Sequence, residues 1–219
     1  MKHFIYVTIT LFLCISCADS KKKNPKGHSI KSYRSIQVEE PLNLEKDTAV
    51  VLKEWVNYYK NLEPSFSLQS FEFTAMDTLK VIPGNVYASF DADFDRIYSK
   101  FLVYQNNKEK YIDFDSYNWT ANQNGDLIFS PDQEINLVDL NNKSVQRLAF
   151  RGPSQWVENI FWENDSLIVL LENNYERQPV ITKIHLRKKS IATFTYHQPL
   201  SFDSDYFKLR FKKKGYSIK

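Results

Sequence analysis

The chain reads as a mainly β protein with one amphipathic helix ahead of its strands. Three observations carry that reading. Apolar residues recur every three to four positions only between 47 and 62. From Pro64 onward the pattern changes to short runs of period two, rich in Phe, Tyr, Ile, Val and Thr and separated by polar clusters. A composition of 42% hydrophobic and 15% aromatic residues, with only five glycines and a quarter charged, then describes a folded body rather than a disordered chain.

The first sixteen residues form a leader. Met1, Lys2 and His3 give it a short basic start, Phe4 to Ile15 an apolar stretch, and Ser16 a small residue before the cut. A membrane-crossing helix needs ~20 apolar residues, and this run is too short. It ends at once in Asp19, Ser20, Lys21, Lys22 and Lys23. Export is therefore expected, without a transmembrane anchor.

Leu13-Cys14-Ile15-Ser16-Cys17 resembles the bacterial lipobox, although the position three before Cys17, usually Leu, is Cys14 here. The resemblance implies that a signal peptidase cuts before Cys17 and that its thiol receives a diacylglycerol, with palmitate-type chains holding the protein on the membrane of the cell envelope. Each buried methylene adds ~0.8 kcal/mol, so two or three chains make dissociation negligible. Ala18 lacks the acidic character that resembles an inner-membrane retention signal, which points to the outer membrane. Cys14 would leave with the leader, and Cys17 is the only other cysteine. A thioether there leaves no sulfur for a disulfide, a nucleophile or a cysteine metal site.

Residues 17–40 are polar, carry Pro25 and Gly27, and read as a flexible tether. The formal charge of +3 is concentrated at the ends, in Lys21 to Lys23, Lys26, Lys31 and Arg34 and again between Lys208 and Lys214. Such a tether suits anionic headgroups. No nucleic-acid partner is expected.

Residues 41–64 form the helical segment. Asp47 or Thr48 caps it, Val51, Leu52, Trp55, Val56, Tyr59 and Leu62 form one stripe, and Glu63-Pro64 ends it. The stripe is expected to be core. Residues 65–219 form the β domain, with strands expected near 68–74, 78–82, 86–90, 97–105, 110–118, 134–139, 144–150, 157–162, 166–172, 180–186, 190–196 and 206–211.

Within it residues 135–150 match 181–196 at an offset of 46: Leu140, Lys143 and Ser144 recur as Leu186, Lys189 and Ser190, and Val138 and Val145 as Ile184 and Ile191. Each copy is a strand, a polar turn and a strand, with two more strands ahead. Two to three such four-stranded units in an antiparallel meander look like β-propeller blades, which typically number 4–8 when they close a ring. The chain has room for little more than three units. An open propeller-like pair of sheets or a sandwich with the helix over one end is expected instead. The whole layout resembles small lipoproteins of Bacteroidota-type bacteria with blade-like repeats. That resemblance brings no activity with it. Asp47-Thr48-Ala49, Asp77-Thr78-Leu79 and Asp165-Ser166-Leu167 resemble the Asp-Ser/Thr-aliphatic O-glycosylation acceptor of that lineage, and also suit ordinary turns and caps.

The chain lacks HExxH, GxSxG, SxxK and a phosphate-binding glycine loop. Asp91, Asp93 and Asp95 alternate like the start of a calcium loop, but Arg96 stands where glycine is required and Leu102 where the bidentate glutamate belongs. No metal and no cofactor is expected. His185 and His197 have no metal-site spacing. Asp113 and Asp115 share one face of a strand and, with Glu134 or Asp139, are the candidate acid and base of a carbohydrate-active enzyme. Trp119, Trp156 and Trp162, together with Asp113 and Asp115, are the candidate ligand surface for a polysaccharide or an envelope protein, although large aromatics in a β domain chiefly fill the space between sheets. The favoured expectation is a non-enzymatic binding or scaffold module. It requires exposed apolar or aromatic surface. The enzyme expectation requires two converging carboxyls in a pocket.

Overall fold

Helix α1, Lys46–Leu62, stops where Glu63 and Pro64 follow it. Most of its stripe is core: Leu52, Trp55 and Tyr59 are buried and Val51 and Val56 are packed beside them, whereas Leu62, at the end of the last turn, is exposed. A computed structural model describes residues 46–219 except 92, 93, 95, 124, 125, 217 and 219. The leader, Cys17, the 17–40 tether, Asp93 and Asp95 lie outside the described residues, all of which fall in one unit spanning 40–219.

After α1 come β1 (Phe71–Thr78), β2 (Ile82–Pro83), α2 (Arg96–Ser99), β3 (Val103–Tyr104) and β4 (Lys110–Asp113). A hairpin of β5 (Trp119–Ala121) and β6 (Leu127–Phe129) follows. The remaining strands are β7 (Gln133–Asp139), β8 (Ser144–Arg151), β9 (Gln155–Asn164), β10 (Leu167–Asn174), β11 (Val180–His185) and β12 (Ser190–Tyr196), and α3 (Tyr206–Lys213) ends the fold.

Ten of these strands make two antiparallel sheets of five. The first has the order β1-β12-β11-β10-β9 and the second β2-β8-β7-β4-β3. Each is a four-stranded meander with one strand from the early chain added beyond its last member. The two matching hairpins share their geometry: Val138 faces Val145 as Ile184 faces Ile191, and both turns end on a lysine with positive φ, Lys143 at 47° and Lys189 at 51°.

The sheets face each other. Ile112, Ile135, Leu137 and Leu148 of the second meet Ile160, Trp162, Ile168, Leu170 and Ile184 of the first in one core. The opposite face of the first sheet presents Phe161, Val169, Leu171, Ile181 and Tyr196 to α1. Strand side chains alternate between faces, so covering both faces demands an unbroken apolar run. Leu167 to Leu171 is that run. The helix thus covers a face of the first sheet, not one end of the sandwich.

Several expected strands are replaced. Residues 206–211 form α3, because Tyr206, Arg210 and Phe211, at helical spacing, are the side chains it buries. Residues 87–90 form a turn and Val86 lies in no strand, and Ile97 lies in α2. Of the second expected strand, 78–82, Thr78 ends β1 opposite Ser190 and only Ile82, joined by Pro83, pairs with β8. The stretch after Asp113 leaves the sheet, and the β5–β6 hairpin was not expected.

Candidate functional site

The outer face of the second sheet carries a cluster of buried polar side chains, Asp113, Glu134 and Asn136. Because Ile112, Ile135 and Leu137 point inward, alternation sends Asp113, Glu134 and Asn136 outward. Register places Asp113 opposite Asn136 on β4 and β7, and Asn136 opposite Arg147 on β8. Arg147 pairs with Glu134, and Asn136 Nδ2 donates to Glu134 Oε2 at 3.3 Å. Gly84 crosses directly above: a Cβ there would stand 2.6 Å from Asn136 Oδ1 and 2.9 Å from the Arg147 backbone nitrogen. Glycine is required by that approach.

Beside this crossing lies an open groove of about 380 Å³, lined among others by Gly84, Asn85, Ser89, Phe90, Asp91 and Lys143. Val86 and Val145 are among its apolar lining, and Val86 packs in turn on Tyr111 and Val138. Burial pushes the Tyr111 phenol well up. Tyr87, 89% exposed, is the neighbour of the lining residues Val86 and Ala88.

The four carboxylates singled out in the sequence fall in three places. Asp113 and Glu134 share the outer face of the second sheet. Asp113 ends β4 by accepting from the backbone of Asp115 at 3.1 Å and of Ser116 at 3.0 Å, and from the Ser116 hydroxyl. Burial raises its carboxyl above the usual range despite those donors. Asp115 lies under α3, where Arg210 grips both its oxygens and Trp119 Nε1 donates at 3.0 Å. Asp139 closes the β7–β8 turn, bonded to Lys110 at 3.2 Å and to Asn142. Burial opposes its ionisation, but the bonds from Asn142 and Lys110 prevail and hold its carboxyl low.

The expected ligand surface does not assemble. Trp119 is buried with Phe101 and Phe211, and Trp162 sits in the core between the sheets, donating to the Val103 carbonyl at 3.0 Å. Asp113 and Asp115 are buried as well, and only Trp156 is half-buried. In a two-sheet body the interior is the largest apolar volume, and large rings fill it. His185 is half-buried on β11, and His197 is exposed with its ring against Tyr196. Among the described residues, no three of His, Cys, Asp and Glu converge as metal ligands.

Sequence reasoning missed Glu158. It is fully buried on β9 and accepts from Trp55 Nε1 and Tyr59 Oη, each at 2.7 Å, and from Ser204 Oγ. Asn173 donates to the same Tyr59 oxygen at 2.9 Å. Burial raises the Glu158 carboxyl even against its donors on Ser204, Trp55 and Tyr59. The one signal was an acid inside an apolar strand, Trp156-Val157-Glu158-Asn159-Ile160. The network docks α1 and the chain before α3 onto the first sheet.

Comparison with protein-family models, with curated proteins and with solved structures finds no match to this chain. Among the described residues, no helix is long and apolar enough to cross a membrane.

Proposed function

We propose that this is a lipid-anchored cell-envelope lipoprotein, attached through Cys17, whose β body is a non-enzymatic binding module. The observation that carries the module reading is the commitment of its carboxylates. Asp113, Asp115, Glu134 and Asp139 are each engaged by neighbours inside the fold. An acid–base pair needs two carboxyls converging on a space that a substrate can enter.

Surface suited to binding is present beside them. The groove combines Val86, Phe90 and Val145 with polar Asn85, Ser89, Asp91 and Lys143 and has the exposed Tyr87 nearby, and Phe73 and Met76 are exposed on the edge strand β1. Each sheet's meander with its matching hairpin supports a reading as two blade-like units packed face to face. The basic tether and the short leader support the anchor.

Intact mass of the purified native protein, beside a Cys17→Ala variant, tests the anchor. A diacylglycerol increment lost in the variant is expected, and an unmodified, freely released chain would overturn it. Crosslinking in native membranes tests the module. An envelope protein or polysaccharide captured by the wild type and lost on Tyr87→Ser is expected, whereas glycan turnover abolished by Glu134→Gln would replace binding with catalysis.

A further inference from the structure

Four hairpin turns meet at one end of the sandwich. Gln105 Nε2 donates to the Asp165 carbonyl at 2.9 Å, the Leu140 amide to the Glu109 carbonyl at 2.9 Å, and the Leu186 amide to the Ser166 carbonyl at 2.8 Å. These bonds tie the β3–β4, β7–β8, β9–β10 and β11–β12 turns into one platform drawn from both sheets.

The platform is basic at its tips. Lys108, Lys143, Arg187, Lys188 and Lys189 are exposed. Among the described residues, Lys108, Lys143, Arg187 and Lys189 enter no ion pair. Three acids stand among them: Asp139 is paired with Lys110, and exposed Glu109 and Asp165 accept from the amides of Asn107 and Gln105, so cations outnumber acids at the tips. Lys108, Lys143 and Lys189 also occupy the left-handed region, at φ 57°, 47° and 51°. Glycine or asparagine suits such turn positions better, and asparagines stand beside two of them, at 107 and 142. Three turns therefore place a cation where local conformation prefers another residue.

We infer that this end of the sandwich is a docking face for an anionic membrane surface. Facing sheets stand ~10 Å apart, so tips drawn from both spread the cations over an area rather than along a line. An area of fixed positive charge matches a headgroup layer better than a single extended polyanion. Leu140, exposed at the β7–β8 tip among these cations, supplies an apolar side chain at the same level. The inference borrows from the anchored reading only the presence of a bilayer nearby.

Lysine acetylation footprinting by mass spectrometry of the full chain tests it. The chain is mixed with phosphatidylcholine vesicles, with vesicles containing roughly a third of phosphatidylglycerol, and with soluble polygalacturonate. Lys53 and Lys60, exposed on α1, serve as internal references. Modification of Lys108, Lys143 and Lys189 should fall several-fold with anionic vesicles alone, and recover when about 0.5 M salt screens the surface. Equal labelling in both vesicles, or loss equal to that of Lys53 and Lys60, would overturn the docking face. Protection by polygalacturonate without vesicle protection would assign the face to a polysaccharide instead. A Cys17 lipid increment without tip protection would reject this inference and leave the anchor standing.

Discussion

Arg210 holds both carboxylate oxygens of Asp115, at 2.7 and 2.8 Å, across 95 residues of sequence. The pair is buried, with the guanidinium 4.6 Å from the Phe114 ring centre. It fastens α3 to the segment that leads into the β5–β6 hairpin.

Removing one partner strands a buried charge. Arg210→Ala is expected to destabilise the domain by about 3–5 kcal/mol, and Arg210→Met with Asp115→Leu by much less. Urea unfolding of the three proteins checks this. A double variant as unstable as the single one would show that packing, not the unpaired Asp115, sets the loss.

Glu158 should leave a mark on the pH dependence of stability. Its folded carboxyl titrates above the unfolded value of about 4.3, so the native state holds the proton longer and stability falls as pH rises between the two values. Glu158→Gln abolishes that limb. The unfolding free energy of wild type minus variant should therefore decline as pH rises through the acid range. A difference that is flat or rising there would contradict the assignment.

The left-handed lysines predict stabilisation by glycine. A non-glycine residue in that conformation is disfavoured by roughly 1–2 kcal/mol, part of which glycine's larger unfolded-state entropy offsets. Lys143→Gly and Lys189→Gly should each add about 0.5–1 kcal/mol, read as a melting temperature higher by a few degrees. The same variants should weaken the vesicle protection of the remaining tip lysines.

Gly84→Ala should act in the opposite sense. The new methyl meets Asn136 Oδ1 and the backbone nitrogen of Arg147, and the backbone cannot turn away as a side chain can. A loss of about 1–3 kcal/mol is expected, measured by thermal unfolding. An unchanged melting temperature would mean that β2 lifts freely from β8.

The sequence was most legible where one physical pattern dominated. The spacing of Leu52, Trp55 and Tyr59 announced a buried helix face, and the strands from 134 to 196 were placed closely by period and by the 46-residue offset. Legibility failed where distant partners decide. Tyr206 to Phe211 alternates well enough for a strand, yet Arg210 finds Asp115 and the segment winds into α3. Val86 to Phe90 looked like a strand, but Val86 alone is buried there, packed over Tyr111 and Val138. The candidate site suffered similarly: Asp113 and Asp115 read as one strand face, but β4 ends at Asp113 and Asp115 turns to Arg210 of α3, and no local signal told that Gly84 would cap Asn136.

The pairing of β1 with β12 also governs how the domain assembles. Phe71 lies opposite Tyr196 and Thr78 opposite Ser190, so the first strand of the sandwich has no neighbour until the last has been made. Contacts so distant along the chain raise contact order and slow folding. A ribosome delivering the chain from its amino end would expose β1, with Phe73 and Met76, as an unpaired edge until residue 196 emerges. The domain is thus built to fold after synthesis of its last strand, and a chain cut before β12 would present that edge as a site for aggregation.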